Sequence, residues 1–423
     1  MGTADTSTKT SPIVAMGIIG LLFFIFGFVT WLNGPLITFV KLAFTVDDKI
    51  AFLVPFAFYI SYFFLSIPAA FVLKKTGMKK GMALGLLIMA VGAATFGQFA
   101  TMRIFPGAIT GLFVIGAGLS ILQTASNPYM SILGPIDSAA QRIAFMGICN
   151  KVAGAAAPFL FSYLVMTGIS GFADKVAATT DPSAKEALLN GFAAKIHDPY
   201  MMMAGLLAVL AGFVFVSPLP EIHDDANKAT TEGGDSGSIF AQPQLWFGFI
   251  CLFLYVGVEV LAGDAIGTYG NGFNLPLDQT KFFTVFTLVA MLVGYVAGLI
   301  VVPKFVSQAR YLAFSAILGA LLSAGAFLTK GYVSVGFVAA LGFANAMMWP
   351  AIFPLGIKGL GRHTELGSAI MVMGIAGGAV MSLAFAHLKE HFDFQLVFLG
   401  LSVPAYAYIL FFGLFAGRND KRA

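Results

Sequence analysis

Twelve stretches that carry almost no charge dominate the sequence, at residues 13–40, 50–73, 81–101, 105–133, 143–169 and 200–216, then 239–273, 282–302, 311–328, 332–357, 366–387 and 394–416. A segment crossing a bilayer must satisfy its backbone hydrogen bonds internally, and a helix of about 20 apolar residues does so. The pattern predicts an all-α membrane protein of twelve transmembrane helices, and the even count puts both termini on one side. Charged residues make up 10% of the 423 and hydrophobic ones 58%, against about 25% and 45–50% in a soluble domain. That composition excludes a soluble globular protein, and the scattered Lys and Arg form no basic stripe for nucleic acid. Both cysteines, Cys149 and Cys251, lie inside apolar runs, which removes a disulfide framework and a Cys-rich zinc site. The first run is too long for a signal-peptide core and lacks a strongly positive leader, so it is expected to stay as a helix.

Basic residues are retained in cytoplasmic loops, and most of the 24 Lys and Arg fall in loops on the side of the termini. Lys74, Lys75, Lys79 and Lys80, crowded into one short connection, carry most of that bias. The expected setting is a bacterial-type inner membrane with both termini cytoplasmic. Residues 218–238, rich in Asp, Glu, Gly, Ser and Thr, read as a flexible cytoplasmic linker between a six-helix bundle at 1–217 and a second at 239–423. Neither this stretch nor 171–198 is long enough to fold as a soluble domain. The two halves echo each other. Gly27 in FFIFGFVTW matches Gly257 in LYVGVEVLAG, Asn127-Pro128 matches Trp349-Pro350, and Met-Gly-Ile opens helix five at Met146 and helix eleven at Met373. Helix n thus pairs with helix n plus six, which is the architecture of a secondary transporter that rocks about a site between its halves.

An ionisable group at mid-membrane costs roughly 2.5–3.5 kcal/mol on insertion scales. Lys151 in helix five and Glu259 and Asp264 in helix seven are of this kind. They are candidates for cation coupling and gating, or for buried ion pairs that fix helix packing. Asp264 lies about 140° round a regular helix from Glu259, so the two share a face only if the helix breaks. Gly263, Gly267, Gly270 and Gly272 permit such a break, and equally permit close packing. Asn33, Gln123, Asn127, Asn150 and Asn345 are amides within apolar runs, accompanied by Trp31, Tyr129, Tyr255 and Trp349. Amides that pair with hydroxyls, beside rings that stack on a C–H face, are what a sugar site requires. The alternative is interhelical amide bonding, strongest for Asn127, since Pro128 frees a carbonyl. The sequence holds no H-E-x-x-H, G-x-S-x-G or P-loop, so an enzyme is not expected and energy must come from a gradient.

These residues resemble the major facilitator superfamily, and within it the fucose–galactose–glucose permease branch of sugar:cation symporters. The most specific stretch is Leu122-Gln123-Thr124-Ala125-Ser126-Asn127-Pro128-Tyr129, followed by Gly134-Pro135 and the run with Asn150. Tyr255 to Val260 and Asn345 to Gly361 extend the likeness into the second half. The chain departs from the pattern at Lys75, where the superfamily's basic loop usually has an aspartate. It also has Gly34 and Gln123 where proton-coupled fucose permeases carry an aspartate and a glutamate. The resemblance implies a monomeric transporter of a hexose such as glucose or galactose, or of N-acetylglucosamine, working by alternating access. With both proton carriers replaced, Na+ is the expected coupling ion, held near Glu259 and Asp264; a proton-coupled symporter and a facilitative uniporter are the alternatives. No cofactor is implied beyond that ion. The expected sugar contacts are Asn33, Gln123, Asn127, Asn150, Tyr255, Glu259, Asn345 and Trp349, with Lys151, Glu259 and Asp264 serving coupling.

Overall fold

The computed structural model describes residues 12–132, 139–220, 238–302 and 304–419. The Gly134-Pro135 pair and residues 221–237 of the expected linker lie outside them. The described residues are helical throughout, with eleven helices long and apolar enough to cross a membrane. A bent pair, Gly331–Asn345 with Met348–Ile357, meets at 40° and supplies a further span. Numbered in chain order, spans 1 to 6 are Val14–Ala43, Asp48–Thr76, Met78–Thr101, Phe105–Asn127, Arg142–Leu164 and Pro182–Val216. Spans 7 to 12 are Pro243–Gly263, Leu277–Val301, Gln308–Leu328, the bent pair, Thr364–Leu388 and Phe394–Arg418.

Packing repeats along the chain. Span 1 lies against span 5, span 2 against span 4, and span 3 against spans 4 and 6. The same pairings recur six spans on, as 7 with 11, 8 with 10, and 9 with 10 and 12. Across the seam, span 2 packs on span 11 and span 5 on span 8, an exchange that maps onto itself when the halves trade places. Backbone approaches backbone where side chains are absent. A Cβ on Gly27 would sit 1.8 Å from the Asn150 carbonyl oxygen, and one on Gly377 would sit 1.8 Å from that of Phe253. Large apolar side chains including Phe64, Phe71, Val91, Leu164, Val209, Ile300 and Leu321 are exposed on the outside of the bundle, the surface that lipid covers.

Several spans are not the continuous helices that their apolar runs predict. Span 1 breaks into Pro12–Thr30 and Asn33–Ala43, and span 10 breaks between Asn345 and Met348. Each break lies four residues ahead of a proline, Pro35 and Pro350. A proline has no N–H to give the carbonyl four residues back, and its ring crowds that carbonyl. Span 7 ends at Gly263 and resumes at Ile266. The carbonyls freed there are met by span 8, where Thr284 Oγ1 donates to Gly263 O at 2.8 Å and Thr287 Oγ1 to Ala262 O at 2.7 Å. Met146 and Met373 do not open their helices: Met146 lies inside Ala139–Leu164, and Met373 ends Thr364–Met373, where a short 3-10 turn of Gly374–Ala376 follows.

Candidate functional site

At mid-depth the two groups of spans enclose a cavity lined from both sides of the seam. Spans 1, 2, 4 and 5 contribute Thr30 and Trp31, Tyr59 and Tyr62, Gln123 and Asn127, and Asn150 and Lys151. Spans 7, 8 and 10 contribute Tyr255 and Glu259, Tyr295, and Trp349. About 100 Å³ of it is open to the centres of water molecules, several times the ~10–15 Å³ that one water needs. The lining reaches Asn127 and Ile143, each little more than a turn from the end of its helix on the side of the termini.

An ion pair crosses this cavity. Lys151 Nζ lies 3.0 Å from Glu259 Oε1, joining span 5 to span 7, with the side chains 7% and 11% exposed. The ammonium also sits 4.4 Å from the centroid of the Trp31 ring, a cation–π geometry. Trp31 occupies the break in span 1 and slots between two glycines. A Cβ on Gly154 of span 5 would lie 2.5 Å from the indole, and one on Gly263 of span 7 would lie 2.3 Å from it. Around this centre, Trp31 Nε1 donates to Asn150 Oδ1 at 3.5 Å, and Asn150 Nδ2 to Phe23 O at 3.3 Å. Gln123 Nε2 donates to Tyr62 Oη at 3.1 Å. Trp349, which lines the cavity, stacks on Phe353, ring centroids 5.7 Å apart.

Beyond Trp31, on the side away from the termini, the seam is closed. Tyr59 Oη of span 2 donates to Asp264 Oδ2 at 2.9 Å. Further out, Asp48 receives Lys41 at 2.6 Å and also binds Lys389 across the seam, beside the pair Lys49–Glu390 at 2.5 Å. On the opposite edge Lys281 Nζ donates to Met166 O at 2.8 Å, and Ser170 and Asp278 exchange hydrogen bonds of 3.2 and 3.1 Å. A polar cavity between halves, shut on one face by paired charges, is a transporter's arrangement caught with one door closed.

A family model described as Major Facilitator Superfamily matches residues 19–386. The chain belongs to the major facilitator superfamily. This is a transporter family and not one of enzymes. The glucose/galactose transporter of Brucella abortus is 31% identical over 98% of this chain and 97% of its own. The L-fucose-proton symporter of Escherichia coli is 27% identical over 91% of this chain and 89% of its own. Among solved structures, the major facilitator transporter FucP in the outward conformation superposes with a TM-score of 0.76 at 24% identity, over 96% of this chain and 99% of that one.

In this major facilitator protein, the cavity gathers Gln123, Asn127, Asn150, Lys151, Tyr255, Glu259 and Trp349 as the sequence leads one to expect. Two expected sugar contacts, Asn345 and Asn33, and one expected coupling residue, Asp264, are not among the residues that line it. Asn345 ends the first helix of span 10, fully buried, and accepts from Tyr406 Oη of span 12 at 2.9 Å. Asn33 begins the second piece of span 1, fully buried past the Trp31 roof. Asp264 is bound by Tyr59 in that same sealed layer. Glu259 and Asp264 therefore do not face one pocket, because the helix ends between them at Gly263. Among the described residues no three His, Cys, Asp or Glu side chains are grouped to hold a metal, so a Na+ beside either carboxylate would take most of its ligands from neutral oxygens. Asn127 Nδ2 donates to the backbone carbonyl of Gln123 at 3.0 Å, in keeping with a structural share in its role. The sequence reading missed Tyr59, Tyr62 and Tyr295. Their signal was present, since a phenol buried in an apolar helix needs a partner for its hydroxyl.

Proposed function

We propose that the chain carries a hexose across a bacterial inner membrane by alternating access between two six-helix halves, 1–217 and 239–423, with both termini cytoplasmic. The observation that carries this reading is the cavity itself. Aromatic faces of Trp349, Tyr255 and Tyr295 flank amide and charged groups at mid-depth, the pairing of ring surface and bidentate hydrogen bonding that a sugar calls for. In the proposed complex Gln123 and Asn150 bond hydroxyls, Glu259 accepts from two of them, and Trp349 stacks on the ring. The names of the relatives, transporters of glucose/galactose and of L-fucose, support a monosaccharide substrate.

Movement is taken to be driven by a cation, Na+ in preference to H+, because Gly34 and Gln123 stand where the resemblance places the proton carriers. A second reading, facilitated uniport, is favoured by one observation: Lys151 and Glu259 already satisfy each other at 3.0 Å. Binding tests the site directly. Two of the three tryptophans, Trp31 and Trp349, line the cavity, so their fluorescence should change on titration with glucose or galactose, and Gln123→Ala should weaken that titration about ten-fold or more. A fluorescence signal that responds to neither sugar, or that survives Gln123→Ala unchanged, contradicts the assignment.

A further inference from the structure

The geometry points to a cation site at Asp264, adjoining the sugar cavity through Tyr59 and built into the closed door. Asp264 is 1% exposed, and no Lys or Arg among the described residues approaches it within 4 Å. Tyr59 supplies a hydrogen bond to Oδ2, whereas Oδ1 has no hydrogen-bond partner. Asn33, also 1% exposed, turns its amide toward the Tyr59 hydroxyl in the same layer. Helix Asn33–Ala43 starts at this point, with the Gly34 amide facing the carboxylate. Gly34 has no side chain in the way: a Cβ there would come within 3.4 Å of Asp264 Oδ1 and 2.5 Å of Thr284 Oγ1. The nearest other charges, Glu259 and Lys151, neutralise one another in the cavity below.

A lone carboxylate in a sealed, water-free layer is strongly disfavoured unless its charge is cancelled. The layer offers a monovalent cation the free Oδ1, with the hydroxyl oxygens of Tyr59 and Thr284 beside it. A bound proton or a Na+ serves the same end. The walls of this site come from both halves, Asn33, Gly34 and Tyr59 from spans 1 and 2, Asp264 and Thr284 from spans 7 and 8. Opening the door therefore pulls Tyr59 off Asp264 and admits water, which lets the cation exchange; closing it without a cation would bury a bare charge. The site links cation occupancy to door closure and uses none of Gln123, Asn150, Glu259 and Trp349.

This inference rests on the gradient-driven transport proposed above, and the test separates the two. Purified full-length protein in liposomes is given labelled glucose or galactose under an inward Na+ gradient at constant pH, and separately under an inward proton gradient without Na+. The gradient that drives accumulation in the wild type names the cation; accumulation under neither overturns gradient-driven transport and this site together. Asp264→Asn, neutral whether or not a cation is present, is expected to lose accumulation at least ten-fold while still exchanging labelled for unlabelled sugar. Accumulation at the wild-type level overturns the assignment, and so does loss of exchange together with accumulation, which a purely structural role would give. Should Asp264→Asn not be recovered folded, Tyr59→Phe keeps the ring and removes the donor. It is expected to shift the half-saturating cation concentration at least five-fold, and an unshifted value overturns the proposal.

Discussion

Replacing Glu259 by Gln removes one charge of a pair that spans the seam. Breaking a buried ion pair by deleting one partner costs about 3–5 kcal/mol, most of it the penalty on the charge left behind. The side chains here are 7% and 11% exposed, and the cavity beside them admits water, so the lower end applies. The Trp31 ring, 4.4 Å from Lys151 Nζ, goes on stabilising the ammonium by roughly 0.5–2 kcal/mol. The expected loss for Glu259→Gln is therefore about 2–3 kcal/mol, and Lys151→Met, which strands Glu259 without the Trp31 ring to offset it, should lose about 3 kcal/mol. The double variant has no stranded charge, so it should recover most of the loss. Equilibrium unfolding of the four proteins in detergent micelles reads this as a coupling energy of about 4 kcal/mol, the summed cost of the two single variants less the small cost of the double. Costs that simply add, within the ~0.5 kcal/mol expected of independent sites, would refute the claim that these residues act as a pair in the folded protein.

Two further outcomes follow from the packing. Gly27→Ala would drive a Cβ to 1.8 Å from the Asn150 carbonyl, forcing spans 1 and 5 apart at a cost of about 1–3 kcal/mol or more; size-exclusion chromatography should show little intact monomer, whereas Gly17→Ala, with nothing within 4 Å, should elute as the wild type does. Tyr406→Phe removes the 2.9 Å bond to Asn345 and should cost about 1 kcal/mol of stability with the tryptophan titration by sugar unaltered, because Asn345 does not line the cavity.

The number and placement of the spans could be read from the chain, because a bilayer demands long apolar runs wherever backbone crosses it. Lys151 and Glu259, singled out by their places in apolar runs, do meet in the cavity, 3.0 Å apart. Direction round the helix was not legible. A span buried on one face and lipid-covered on the other is apolar on both, so no stripe of polar residues marks the interior. Asn33, Asn345 and Asp264 therefore face a buried layer or a neighbouring helix instead of the cavity. The breaks had a signal in Pro35 and Pro350, four residues past each interruption. What the sequence could not reveal was the partner that repairs a break, as Thr284 and Thr287 do for span 7, since that depends on how two distant helices meet.

Uptake of labelled glucose and galactose into liposomes holding the purified wild type tests the central claim most directly. With an inward Na+ gradient at constant pH, the account predicts accumulation of one of these sugars above its external concentration, abolished by collapsing the gradient. Failure to take up either sugar, even to equilibrium and under any gradient, would contradict the reading of this cavity as a hexose site.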